Sequence, residues 1–511
     1  MEQQLVCALK LPLKEMAIRR VVVNVWNASD VLAAIEKFRF KSPTGYICED
    51  VWREIVDKVK EKISKLMCPE SLKKQMMHLV KPIGSDIIRW KLFHEYILED
   101  SREYLDIHIL EQLRWSCTGA IDYQKTAEQL VRHQALNNVK CYKLASLYCL
   151  TEFIPGLFEK VPESYKRSLY EEEDPFQVKV TLMENYWACT LTGDESKMEF
   201  LFSRPFLFMA SLQQLGFEYA ARIGSKAATE YFYHQLTDEE RDSTIYRTCG
   251  AVISESSNLY VMPYNFKKEK LSDVFWYLLS LMNAEQQMQI LKEHTCDVLT
   301  SFLDWPWQDL LLNSAHVIWT FLPERSYKYL LYNIIENIRN LGYYFPNLFQ
   351  KFFISSPSDF RKRFLDRECR FCSFFSEFFE AEDSETIEVI FRNVDSADRT
   401  RLISCHRFFK LLDDVMVRDK WHLVEMCLRE ATPTKEDRIK LKSTYMRFLT
   451  WTDADQLESR ERRWKQFFEL LGDTDTSADS KTSSEDEALT KNSPKGETPT
   501  KKTSLVKEKR T

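Results

Sequence analysis

Glycine is the residue that most narrows what this chain can become. Eleven glycines occur in 511 residues, about 2% where soluble proteins average about 7%. The 16 prolines are sparse as well. Hairpin turns and phosphate-cradling loops both lean on glycine for positive φ angles. A chain so poor in it is left with helices joined by polar turns, and the fold class expected is all-α.

Hydrophobic residues make up 44% and charged residues 29% of the chain, an ordinary balance for a globular protein and not for a fibrous or wholly disordered one. The formal charge of -6, from 71 basic and 77 acidic residues, provides no global field to draw in nucleic acid or an anionic membrane. Lys10, Lys14, Glu15, Arg19 and Arg20 break up the apolar start of the chain, so no export signal is expected. With 13 cysteines, an odd number, reduced thiols in the cytoplasm or the nucleus are the expectation. No apolar run approaches the roughly 20 residues of a membrane span, and no membrane partner is expected.

Apolar residues recur at three- and four-residue spacing through most of the first 470 positions, as in Leu330, Leu331, Ile334, Ile335 and Ile338. That is helix periodicity with one wide buried face. Capping pairs mark several starts, among them Thr237 with Glu240 and Asn283 with Gln286, where side chain and backbone satisfy each other's hydrogen bonds. Other starts place proline in the first turn. These positions recur at Pro69, Pro162, Thr237, Asn283, Pro323, Pro357, Asp395 and Pro433, with gaps of 93, 75, 46, 40, 34, 38 and 38. Asp122 fills one missing place. A degenerate unit of roughly 34 to 46 residues lies in the range of helix-pair repeats.

Eight residues after these positions stand Met77, Tyr170, Ile245, Leu291, Leu331, Leu365, Ile403 and Leu441. Five residues before them stand Ser64, Leu157, Phe232, Leu278, Ile318, Phe352, Ile390 and Leu428, apolar in every case but Ser64. A helix packing inward on each side of every turn, stacked in series as an irregular α-solenoid, is the architecture this spacing predicts. The expected organisation is an N-terminal helical region over 1–130, helical repeats over 131–250, a loop or boundary over 251–270, and further repeats over 271–471. Residues 472–511 hold almost no large apolar side chain and are expected to form a disordered tail. Its first part, Asp473 to Thr490, is acidic, and its last part, Lys491 to Thr511, is basic. Ser493 and Thr498 each precede a proline there and resemble phosphorylation sites.

The chain carries no G-x-S-x-G, no Walker loop, no G-x-G-x-x-G and no H-E-x-x-H, so no catalytic set and no cofactor is expected. Gly224-Ser225-Lys226 lacks the upstream glycine of a phosphate loop and falls within a helical pattern. Cys369 and Cys372, with Cys405 and His406, offer four ligands of a type suited to a metal or to redox chemistry. The helical, aromatic run around the first pair and the adjacency of the second favour structural thiols. A basic cluster of Arg361, Lys362, Arg363, Arg367 and Arg370, interleaved with Phe360, Phe364 and Phe371, is the candidate surface for nucleic acid. Trp305 and Trp307 flank Pro306 and are candidates either for the core or for an exposed binding anchor. Ser29 is expected to cap the helix that follows it.

The segments Lys14 to Ile35, Asn137 to Pro155 and Phe302 to Leu312 resemble those of a set of helical-repeat proteins from arachnids, some of them labelled ankyrin-like. No activity is established for that family, so the resemblance implies a helical-repeat fold alone. The T-P-L-H-x-A signature of ankyrin repeats is missing from the chain. Repeats without a catalytic set lead to the expectation of a non-enzymatic scaffold for a protein partner. Nucleic-acid binding through the Arg361 to Arg370 cluster is the alternative, and an enzyme of unfamiliar type the third.

Overall fold

The turn positions picked out by spacing stand at the heads of helices in a computed structural model of the chain, which describes residues 9–38, 49–98, 105–169, 182–194, 211–259, 269–341, 348–431, 434–450 and 462–471. Pro69 precedes helix Glu70–Ile97, Asp122 precedes Tyr123–Arg132, Thr237 precedes Asp238–Leu259, and Asn283 precedes Ala284–Glu293. Pro323, Pro357 and Asp395 precede Glu324–Leu341, Ser358–Phe371 and Ser396–Ile403 in the same way. Pro433 lies outside the described residues, and helix Lys435–Thr450 begins shortly after it. Among the described residues every regular element is a helix, and the only β pairing is an isolated bridge between Trp115 and Ile121. The fold is all-α.

Local chemistry explains these starts. At Asn283 and Gln286 the two side chains and two backbone N–H groups form the reciprocal capping pair. Thr237 and Glu240 do the same. Asp395 accepts from the Asp398 N–H at 2.8 Å, and Asp122 from the Lys125 N–H at 3.0 Å. Pro69 and Pro162 stand one place earlier than expected, at the cap with extended ψ, not in the first turn. Ser29 differs too. It is the first residue of helix Ser29–Lys37, and Ala28 occupies the cap.

From Thr237 onward, each flanking position named from the sequence is buried. Phe232, Leu278, Ile318, Phe352, Ile390 and Leu428 lie before the turns, and Ile245, Leu291, Leu331, Leu365, Ile403 and Leu441 after them. Before Thr237 the pattern is weaker, because Leu157 and Met77 are half-buried and Ser64 is exposed; Tyr170 lies outside the described residues. The segment 251–270, expected as a loop, instead continues helix Asp238–Leu259 through its first nine residues; 260–268 lie outside the described residues. Gly224 and Ser225 lie between helices and not within one. Gly224 takes φ 85° to close Leu212–Ile223, and Ser225 caps Lys226–Gln235, a division of labour that suits glycine's left-handed freedom and serine's short hydroxyl. The tail, with Ser493 and Thr498, lies outside the described residues.

The chain divides into two compact units, Met1–Phe364 and Leu365–Thr511. Within the second, helices pack on near neighbours in sequence: Ser384–Arg392, Ser396–Ile403 and His406–Val417 all lie against Trp421–Ala431. Phe408 meets Phe375 and Phe391 edge-on at 5.4 and 6.3 Å. Serial stacking alone does not describe the first unit. There helix Glu70–Ile97 packs on Leu13–Trp26 and also on Glu324–Leu341, and the 114–122 loop closes on residues near 305. Distant segments interleave because ion pairs and tryptophans, not the apolar stripes alone, join them.

Candidate functional site

Helix Glu70–Ile97 carries Asp86 and Arg89 on one face, three residues apart. Asp86 pairs with the buried Lys270 amine at 2.5 Å and accepts from the Ile121 N–H at 2.7 Å. Arg89 pairs with both carboxylate oxygens of Asp304 at 3.0 Å, and Ser272 donates to the same carboxylate at 2.6 Å. Burial alone lowers the proton affinity of Lys270, but Asp86 and Asp273 outweigh it and hold the amine above its ordinary value. Burial raises Asp304, and Arg89 and Ser272 reverse that. Three stretches of chain therefore meet through two desolvated ion pairs.

Trp305 belongs to this junction and not to a binding surface. It is 1% exposed, donates its indole N–H to the Gly119 carbonyl at 3.2 Å, and lies under the Arg19 guanidinium at 4.6 Å. Gly119 has φ 73°, and a Cβ there would press on Arg19 at 3.2 Å. Trp307 is half-buried and donates to Asp273 at 2.7 Å. Helix Gln308–Ile318 starts just after it.

Beside the ion pairs, Glu269 is buried with one carboxyl oxygen lacking a hydrogen-bond partner. Burial first and the neighbouring Asp273 second raise it well above the carboxylate range. The Tyr148 hydroxyl, whose own proton affinity the Glu269 charge raises, meets His94 Nε2 at 2.9 Å. His94 is a buried neutral imidazole, pushed down to about 4 by burial. The folded chain thus holds a proton on Glu269 that the unfolded chain releases above about pH 4.5. Folding stability from this group falls as pH rises past that value. Glu269→Gln is expected to stabilise the protein at pH 8, with the gain shrinking toward pH 5. Thermal melts at the two pH values check it; an equal gain at both would contradict the assignment.

The ion pairs of this junction are turned inward and join segments of the first unit. A surface that faces outward lies in the second unit, where an open groove runs between Ser396–Ile403 and Lys435–Thr450. One wall carries Ser396, Thr400 and Ser404 at four-residue spacing; the other carries Lys440, Ser443, Thr444 and Arg447 on one helical face. Arg401 joins the lining and is held by Asp366 and Asp398. Thr400 and Ser404 donate to the carbonyls four residues back at 3.0 and 2.7 Å, and Ser443 and Thr444 both donate to Lys440 O at 2.8 Å. With their protons committed to backbone, these hydroxyls offer lone pairs to a ligand. Ile439 and Met446, on the same helix, are 64% and 52% exposed.

The Arg361 to Arg370 cluster is not assembled as one outward face. Arg361 donates to the Ile354 and Ser356 carbonyls at 2.9 and 2.6 Å and so closes helix Leu348–Ser355. Lys362 and Arg363 are exposed, and Arg367 is half-buried; the side chain of Arg370 lies outside the described residues. Phe360 and Phe364 turn into the core, Phe360 against Tyr327 at 5.1 Å and Phe364 against Phe353 at 5.4 Å. Of the proposed ligand set, Cys369, Cys372 and Cys405 converge, and His406 is exposed at the head of its helix. Among the described residues no group of His, Cys, Asp or Glu has the arrangement to hold a metal ion, and no helix is long and apolar enough to cross a membrane. The groove itself escaped the sequence reading, although its Ser396, Thr400, Ser404 stripe is visible there; at helical spacing hydroxyls read as an ordinary wet face.

The chain matches no protein-family model and no curated protein.

Proposed function

We propose that this chain is a non-enzymatic helical scaffold that holds an acidic, extended segment of a protein partner in the groove of its second unit. The observation that carries the reading is the pairing of committed hydroxyls with cations along the two walls. Hydroxyls whose protons are used by their own helix present acceptors, which suit the N–H groups of a peptide and not the oxygens of a phosphate backbone. Lys440 and Arg447 supply the charge for carboxylates, and exposed Ile439 and Met446 supply apolar contact beside them.

Cross-linking from the lysines of the full chain in cell extract tests it. Lys440 is expected to link to acidic segments of a recurrent protein, and Lys440→Glu with Arg447→Glu to cut that capture at least about tenfold, equivalent to about 1.4 kcal/mol. Nuclease treatment is expected to leave it unchanged. Capture that survives the charge reversal overturns the reading, and capture that vanishes with nuclease transfers the site to nucleic acid.

A further inference from the structure

Three thiols meet in the second unit. Cys372 sits between helices Ser358–Phe371 and Ser373–Glu380 with φ 50° and ψ 25°, a left-handed conformation that side chains other than glycine seldom adopt. Its Sγ lies 3.9 Å from Cys405 Sγ. Cys369, one turn earlier, lies close enough to the same Cys405 thiol for the two to perturb each other's proton affinity. Cys405 stands at the cap of helix His406–Val417, where its sulfur faces Cys372 and also feels the Phe408 N–H of that helix.

The surroundings hold this arrangement in place. Cys372 Sγ donates to the Glu368 carbonyl at 3.1 Å. The Glu368 carboxyl, fully buried, accepts from the Phe374 N–H at 3.0 Å and from Ser373 Oγ at 3.2 Å. It thereby replaces the side-chain cap that Cys372 does not give to helix Ser373–Glu380. Exposure divides the roles: Cys369 and Cys405 are half-buried, whereas Cys372 is 5% exposed.

We propose that Cys405 and Cys372 form a reversible dithiol site, oxidised to a disulfide by a peroxide, with Cys369 as the alternative partner of Cys405. The Cys405 thiolate attacks a peroxide oxygen; an S–O bond forms, the O–O bond breaks, and water or alcohol leaves after protonation. Cys405 is then a sulfenic acid, oxidised by two electrons as the peroxide is reduced. The Cys372 thiolate attacks that sulfur, the S–S bond forms, the S–O bond breaks, and water leaves. Moving from 3.9 Å to the disulfide length of about 2.05 Å asks each sulfur to travel about 1 Å, within reach of side-chain rotation. A dithiol reductant returns both electrons.

The neighbouring Cys369 thiol draws Cys405 down, but the Cys372 thiol and burial outweigh it and push Cys405 up to about 12. Reaction is therefore slow at neutral pH, and its rate follows the thiolate fraction, rising about tenfold per pH unit between pH 7 and 9.

The reduced full-length chain is treated with hydrogen peroxide at pH 7, 8 and 9, its remaining thiols are alkylated, and the peptides are mapped by mass. The expected product has lost two hydrogens and links Cys405 to Cys372 or Cys369, with dithiothreitol restoring the thiols. Cys405→Ser is expected to abolish every link to the trio at unchanged helicity, and Cys372→Ser to move the link to Cys369. Cys427→Ser, a control at another buried cysteine of the same unit, is expected to leave the link intact. Oxidation of the trio to sulfinic acids without a link, or links scattered over all cysteines as in a urea-unfolded control, would overturn the proposal.

Discussion

Asp86→Ala is expected to cost the first unit about 3–5 kcal/mol, the range for removing one partner of a buried ion pair. Lys270 would then keep a full charge at 3% side-chain exposure, and the Ile121 N–H would lose its acceptor. Water cannot replace either at that depth, so the loss includes desolvation as well as attraction. Asp86→Asn separates the two contributions, since the amide oxygen still accepts from Ile121 while the charge is gone. Replacing both partners, Asp86→Leu with Lys270→Met, is expected to recover most of the stability and to stop about 1–3 kcal/mol short, the cost of the orphaned N–H. Chemical unfolding followed by tryptophan fluorescence reads all four chains. If Asp86→Ala and the double variant unfold at the same denaturant concentration, the ion pair is not what joins these segments.

That junction shows where sequence reasoning stops. Thr237 with Glu240 and Asn283 with Gln286 were legible because a capping pair is a contact across three residues. The apolar positions flanking each turn were legible for the same reason, since helix periodicity places both in register with a nearby turn. Arg89 and Asp304 are 215 residues apart, and the Trp305 indole reaches a carbonyl 186 residues away. No spacing rule encodes such a meeting. Asp86 and Arg89 look like a surface pair on a helix, and Lys270 like a basic residue in a loop, until the third stretch of chain closes over them.

The thiols lay between these cases. Cys369 and Cys372 share a helical turn, so spacing groups them, whereas Cys405 stands out by residue type alone. His406 is adjacent to Cys405, but consecutive residues at a helix start point in different directions, and it is the Cys405 sulfur that faces Cys372. Arg361 of the basic cluster shows a related limit. Arg361 follows a turn closely enough for its guanidinium to fold back onto the carbonyls ending the previous helix, a use of arginine that composition cannot distinguish from an outward charge.

Trp305→Ala is the companion test, with an expected loss of about 3–5 kcal/mol for emptying a fully buried tryptophan site. The indole fills the space between the 114–122 loop and the chain near Asp304, so its removal leaves a cavity, an unpaired Gly119 carbonyl and an Arg19 guanidinium without its aromatic partner. Trp307→Ala, two residues on, removes a half-buried ring and its bond to Asp273, and is expected to cost only about 1–2 kcal/mol. The contrast distinguishes a core residue from a surface anchor. An exposed anchor at position 305 would leave stability nearly unchanged on truncation and weaken partner capture instead, whereas a core tryptophan lowers the melting temperature of the first unit with or without a partner. Trp305→Phe sharpens the reading, because it keeps most of the volume and the face beneath Arg19 but gives up the N–H. It is expected to fall between the wild type and Trp305→Ala, and closer to the wild type, if packing outweighs the single hydrogen bond to Gly119.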